Sequence, residues 1–202
     1  MRVFLAGATG AIGRRLVPLL LRAGHDVTGI TRSAQKGREL ERAGVAAVVL
    51  DVFDAQATRA AMRAAKPEAV IHQLTDLPRE FDEARIAAAY AANARIRSEG
   101  TRNLVAERAI TIKGAADMER QVLGARGLEA IILRYGFLYG PATWHEKPTR
   151  KPGLHVDAAA QAACLTLTRG TAGIYNIADD DGVVAIGKAR AALGFDPQFR
   201  LR

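Results

Sequence analysis

LAGATGAIGRRL, residues 5–16, spaces Gly7, Gly10 and Gly13 three apart, directly behind the apolar run RVFLA (2–6). Behind the glycines, Ile12, Leu16, Leu19 and Leu20 recur at helical spacing. Strand, glycine turn and helix in that order form the context in which such a pattern reads as a dinucleotide-phosphate turn. Glycine permits the tight turn and lets the backbone approach a pyrophosphate with no Cβ between them. The helix N-terminus beyond offers N–H groups and the positive end of its dipole. Gly7, Thr9, Gly10, Ala11, Ile12 and Gly13 are therefore the expected phosphate-binding residues. The competing reading is a turn that merely joins strand to helix.

Working outward, further apolar runs at 26–30, 46–50 and 69–74 read as strands, and 12–23, 34–43 and 55–65 as helices. Short strands alternating with longer helices imply right-handed parallel βαβ units. The fold class expected is α/β, a Rossmann-like doubly wound parallel sheet with a small C-terminal substrate lobe. Residues 81–109 read as one long helix, after which a fifth strand is due; only Ile110-Thr111-Ile112 stands there before the helix ADMERQVLGAR. EAIILRY (129–135) is a strong strand, followed by a helix at 157–169, a strand at 172–177 and a helix near 184–193 closed by Gly194. The division expected is 1–135 for dinucleotide binding and 136–202 for substrate, the two intertwined. Abrupt junctions imply that segments are absent near 109–113, 145–154 and 180–185.

Composition narrows the function. The 202 residues are 49 % hydrophobic and 25 % charged, ordinary for a globular domain, with a net charge of +8. That charge implies an anionic ligand or arginine-rich solvated helix faces. The bases are scattered, with no Lys/Arg block interleaved with aromatics, so no nucleic-acid partner is expected. No stretch of eighteen apolar residues exists, so no membrane partner is expected either. The lone Cys164 rules out an internal disulfide and suits a cytoplasmic protein, and the four histidines are too scattered for a metal site.

Two positions select the nucleotide. GITRS (29–33) ends the second strand with Arg32, whose guanidinium suits a ribose 2′-phosphate, so NADP is favoured over NAD. In LDVFD (50–54), Asp51 can accept from an adenine amino group and Val52 can pack beside the ring, while Asp54 is the better N-cap for the next helix.

GATGAIG (7–13), LDVFD (50–54), VIHQL (70–74), NARIRSEGTRNLV (93–105), LRYGFLYGP (133–141) and LHVDAAAQA (154–162) together resemble the extended short-chain dehydrogenase/reductase superfamily, the NAD(P)-dependent epimerases and dehydratases. The resemblance covers nearly the whole chain. It implies a small-molecule substrate such as a nucleotide sugar, and a homodimer built on the two long helices around strand five. It places Leu74 and Thr75 over the cofactor ribose and Tyr135, Gly136 and Phe137 beside the nicotinamide. His155 falls near the substrate cleft, with Asp157 expected to cap the helix there, and Trp144 is either a stacking residue or a loop anchor.

The same resemblance exposes a departure. The family's catalysis uses a Tyr and a Lys one helical turn apart, the lysine lowering the phenol pKa so that it can move a proton. Counting back from Glu119, those positions hold Thr111 and Ala115, and Lys113 is turned about 200° away on a helix. No catalytic residue is assigned; Thr75, Thr111 and Tyr135 are the remaining candidates, and Phe137, Trp144 and His155 are the candidate substrate contacts. Two functions fit: an NAD(P)-dependent oxidoreductase or epimerase with an atypical active site, or a non-catalytic NADP-binding sensor.

Overall fold

A computed structural model of the chain describes residues 1–75, 89, 91–105, 119, 122–124 and 127–201. Its sheet is built around β1 (Arg2–Ala6). Val3 and Leu5 point to one face and Phe4 and Ala6 to the other, and all four are buried, as a strand covered on both faces requires. β2 (Asp26–Thr31) and β4 (Ala69–His72) flank it, and β3 (Ala46–Val49) lies outside β2. The order is β3-β2-β1-β4, all parallel. Connections cross over between β1 and β4, so the crevice at their carboxyl ends is where such a sheet takes a ligand.

α1 (Ala11–Arg22) and α2 (Ala34–Arg42) cover the Val3/Leu5 face through Leu16, Val17, Leu20 and Leu40. α3 (Ala55–Ala65) and α4 (Thr101–Val105) cover the other, where Leu104 joins Phe4, Ile30 and Val52. Asp54 caps α3, accepting from the N–H groups of Gln56 and Ala57 at 3.0 and 2.9 Å, in the role expected of it. Residues 91–95 are helical and pass into α4 through a π turn, Ile96–Gly100, which seats Gly100 against the Val52 side chain.

The C-terminal part pairs β5 (Ile131–Tyr135) in parallel with β8 (Gly173–Ile177), and β6 (Phe137–Tyr139) with β7 (Gly153–His155). The sequence reading anticipated neither β6 nor β7, because three residues are too few to display a period. α5 (Val156–Leu165) and α6 (Gly187–Leu193) complete it, α6 closed by Gly194 at φ +70° as expected. α5 ends four residues before the expected 169, its last turn tightening into residues 166–169.

α5 explains its own alanines. Ala160 and Ala163 join the cluster that α1 forms with the sheet, while Ala158, Ala159 and Ala162 join that of β8 and α6. A helix buried on nearly all sides must be apolar all round, and small side chains let both neighbours approach. The cap of α5 corrects the reading: His155, not Asp157, is the N-cap, its Nδ1 accepting the Asp157 N–H at 3.1 Å. Asp157 instead faces Arg15 of α1, with Nε 3.3 Å from Oδ1, and accepts the Leu201 N–H at 3.0 Å.

The expected fifth strand at 110–112 lies outside the described residues. Among the described residues β4 pairs only with β1, and β5 only with β8. Glu119 is held beside β5 by a two-pronged pair with Arg134, at 2.8 and 2.6 Å. No helix among the described residues is long and apolar enough to cross a membrane.

Candidate functional site

The carboxyl ends of β1 and β4 open into a cavity of about 2250 Å³. Gly7 sets its floor. With φ at +95°, it occupies backbone space disfavoured for side chains, and a Cβ there would stand 2.7 Å from the Gln73 carbonyl. The turn after β1 and the exit from β4 can therefore touch. Gly13 acts differently from expectation: a Cβ there would collide with the Gly7 oxygen and the Ala8 carbonyl, so it lets α1 press onto the turn and does not line the cavity. Gly7, Thr9, Gly10, Ala11 and Ile12 do line it.

Gly10 is the N-cap of α1. That end carries no side-chain cap and no acidic residue in its first turn. An uncapped helix start keeps its positive dipole end and its N–H groups for an anion. The cradle fits a nucleotide pyrophosphate on these grounds.

One rim is basic. Arg32 and Ser33 follow β2 into the cavity lining, and Lys36 joins them from the first turn of α2. Ser33 Oγ accepts the Lys36 N–H at 3.4 Å, which fixes that turn. Arg14 lines the cavity from α1, its Nε donating to the Thr9 carbonyl at 3.1 Å. Sequence reasoning missed Lys36 and Arg14; the Ser33-x-x-Lys36 cap spacing was the available signal for Lys36. Among the described residues that line the cavity, nine lysines and arginines stand against three acids, Asp51, Glu68 and Glu129, so this lining favours an anion. Asp51 Oδ1 accepts the Phe53 N–H at 3.0 Å, and the buried Val52 beside it has its carbonyl held by Asn103 Nδ2 at 2.8 Å.

The exit from β4 is stiffened by two side chains. His72 Nδ1 accepts the Leu74 N–H at 3.2 Å, so its proton sits on Nε2, which donates to Thr101 Oγ1 at 3.0 Å. Burial pushes the His72 pKa down to about 4, so the ring is neutral at neutral pH. Gln73 Nε2 donates to the Tyr135 hydroxyl at 3.1 Å, and that hydroxyl lies 3.5 Å from the Ala159 carbonyl. Tyr135 thus ties the β4 exit to β5 and α5. Burial raises its phenol pKa above the ordinary range, which removes it as a base near neutrality. Leu74, Thr75 and Tyr135 all line the cavity, Thr75 as an exposed residue.

Phe137, Tyr139 and Trp144 line the far wall. His155 does not: its ring stands edge-on to Tyr139, with centroids 5.3 Å apart, behind that wall. Thr111, Lys113 and Ala115 lie outside the described residues.

The family model described as NAD(P)H-binding matches residues 7–153. A 3-diazoavenalumate denitrifying reductase from a Streptomyces species is 32 % identical, aligned over 240 residues that cover 90 % of this chain and 77 % of the relative. That alignment is longer than the 202 residues of this chain, so it contains internal stretches of the reductase with no counterpart here. Among solved structures, a UDP-glucose 4-epimerase from Thermotoga maritima, determined with UDP-glucose, superposes with a TM-score of 0.75 at 15 % identity, over 99 % of this chain and 94 % of that one. The UDP-glucose 4-epimerase of Thermus thermophilus, in complex with NAD, gives 0.69 at 20 % identity, over 98 % and 85 %.

Proposed function

Because the chain belongs to the NAD(P)H-binding family and carries the fold of the extended short-chain dehydrogenases/reductases, we propose that it is an NADPH-dependent reductase with an active site that departs from that group's pattern. The observation that carries this reading is the start of α1, uncapped and opening on the Gly7–Gly10 turn into a cavity with an excess of bases. In this reading Gly7, Thr9, Gly10, Ala11 and Ile12 hold the pyrophosphate. Arg32, with Lys36 and Arg14 lining the same cavity, takes the 2′-phosphate; this is the basis for NADP over NAD. Asp51 and Val52 receive the adenine, while Leu74, Thr75 and Tyr135 shape the nicotinamide end.

When bound, the cofactor supplies a hydride. The chain's own residues orient the acceptor and keep the β4 exit rigid; Tyr135 stays a neutral phenol. With Thr111 and Ala115 at the positions of the family's Tyr and Lys, the reaction that suits this site asks no proton of that pair. Reduction at a diazonium carbon is of this kind: a C–H bond forms from the hydride while dinitrogen leaves with the electrons of the C–N bond. The Streptomyces relative, by its name a denitrifying reductase of a diazo compound, supports this reaction type. The test follows nicotinamide absorbance as purified protein and NADPH are offered an arenediazonium carboxylate, simple carbonyls and UDP-glucose. Consumption with the diazonium alone, above the protein-free rate, is the expected result. NADPH that binds and stays unchanged with every acceptor moves the protein to the second reading, a cofactor sensor, which the absent Tyr–Lys pair favours.

A further inference from the structure

We propose that Phe137, Trp144 and Arg150 form a subsite for a planar aromatic carboxylate, a reading that rests on the reductase assignment for the neighbouring cofactor groove. The chain holds six Phe, four Tyr and one Trp. Tyr135, Phe137, Tyr139 and Trp144 fall within ten residues of one another, and all line the same cavity. β6 places Phe137 and Tyr139 on one face, since side chains two apart in a strand point the same way. The cross-strand partner of Phe137 is Gly153, so no side chain covers it from β7. Phe137 is left 51 % exposed. Arg150 supplies the charge: its guanidinium carbon stands 5.7 Å from the Phe137 ring centroid. A ring stacked on this wall would bring its carboxylate to that cation.

The wall is rigid. Gly140 N–H donates to the His145 carbonyl at 2.8 Å, closing the turn that carries Trp144, and His155 braces Tyr139 edge-on. It also offers a sugar no carboxylate or amide side chain. Between 136 and 150 the lining contains no Asp, Glu, Asn or Gln, and the Thr143 hydroxyl is committed to the carbonyls of Gly140 and His145 at 2.8 and 2.9 Å. One guanidinium in this stretch matches one carboxylate better than it matches a diphosphate.

Trp144 is the single tryptophan of the chain, so its emission reports this wall. The full-length protein, saturated with NADP⁺ in a calorimeter, is titrated with 4-hydroxybenzoate, 4-hydroxybenzyl alcohol and UDP-glucose, while Trp144 emission is read in parallel. Saturable binding of the acid with a change in emission is expected, the alcohol binding about tenfold weaker for want of the charged contact. Arg150→Met weakens the acid about tenfold and leaves the alcohol unchanged; Phe137→Ser, at an exposed position, weakens both. Saturation by UDP-glucose and not by the acid overturns the proposal, as does acid binding indifferent to Arg150→Met. NADP⁺ binding without acid binding overturns this subsite alone. Acid binding with the expected variant pattern but without NADP⁺ binding supports the subsite and overturns the reductase reading.

Discussion

Replacing Gly10 by Asp separates the proposed phosphate site from the fold. Gly10 has φ −76° and ψ 178°, open to any residue, and a Cβ there meets only the Gly7 oxygen, at 3.3 Å. It is also the N-cap of a helix whose start has no side-chain acceptor. Aspartate is a preferred N-cap and exceeds glycine by only a few tenths of a kcal/mol, so the cofactor-free Gly10→Asp protein should melt level with the parent or about 1 °C above it. The same carboxylate stands where the proposed site puts the pyrophosphate. Two unit charges about 4 Å apart, at an effective dielectric of about 20, repel by about 4 kcal/mol, roughly a thousandfold in affinity. NADPH fluorescence titration beside a thermal melt reads both effects. Gly13→Ala is the counterpart: its Cβ has no room against the Gly7 oxygen and Ala8, and overpacking of about 2 kcal/mol lowers the melting temperature by about 5 °C. A stable Gly10→Asp protein that binds NADPH within about threefold of the parent refutes the placement of the pyrophosphate at this turn.

Three further outcomes are expected. Arg32→Asp should lower the preference for NADPH over NADH by about tenfold or more, through loss of a charge-assisted contact to the 2′-phosphate; parallel titrations with the two cofactors measure it. The His72 pKa is depressed in the fold to about 4 from the ordinary 6.5, so its contribution is complete above pH 6.5, declines as the pH falls, and levels off below pH 4. The loss is about 3 kcal/mol, and urea unfolding from pH 7 to 4 should show a shallower decline in His72→Gln than in the parent. Asp157→Asn removes the charge of a buried carboxylate facing Arg15, whose own side chain is 29 % exposed. A cost of about 2 kcal/mol in urea unfolding is expected, less than for a fully buried pair because water screens the arginine.

Much of the cofactor half was legible because its determinants are local. RVFLA followed by three spaced glycines forces a strand, a turn and a helix start in succession. Asp54, one residue before α3, can reach only the N–H groups just beyond it. Gly194 meets the need for left-handed backbone at the end of α6. The C-terminal part was harder. β6 and β7 are three residues each, and each gains its hydrogen bonds from the other across the turn at Gly140 and the loop beyond it. Asp157 looked like the cap of α5; His155 takes that place while Arg15 and the Leu201 N–H hold the aspartate.

By itself, then, the sequence determined the parallel βαβ order, the glycine turn and the basic residue at the end of β2, since each depends on backbone preferences and side chains a few positions apart. Tertiary structure alone decided that Gly13 serves packing and lies off the cavity, and that Arg14 and Lys36 line the same cavity as Arg32. It alone decided that Tyr135 is a part-buried tie to Gln73, 62 residues away. A side chain's burial, and with it the pKa of His72 or Tyr135, is set by which distant segments close over it, and that information is carried by the packed chain rather than by any short stretch of it.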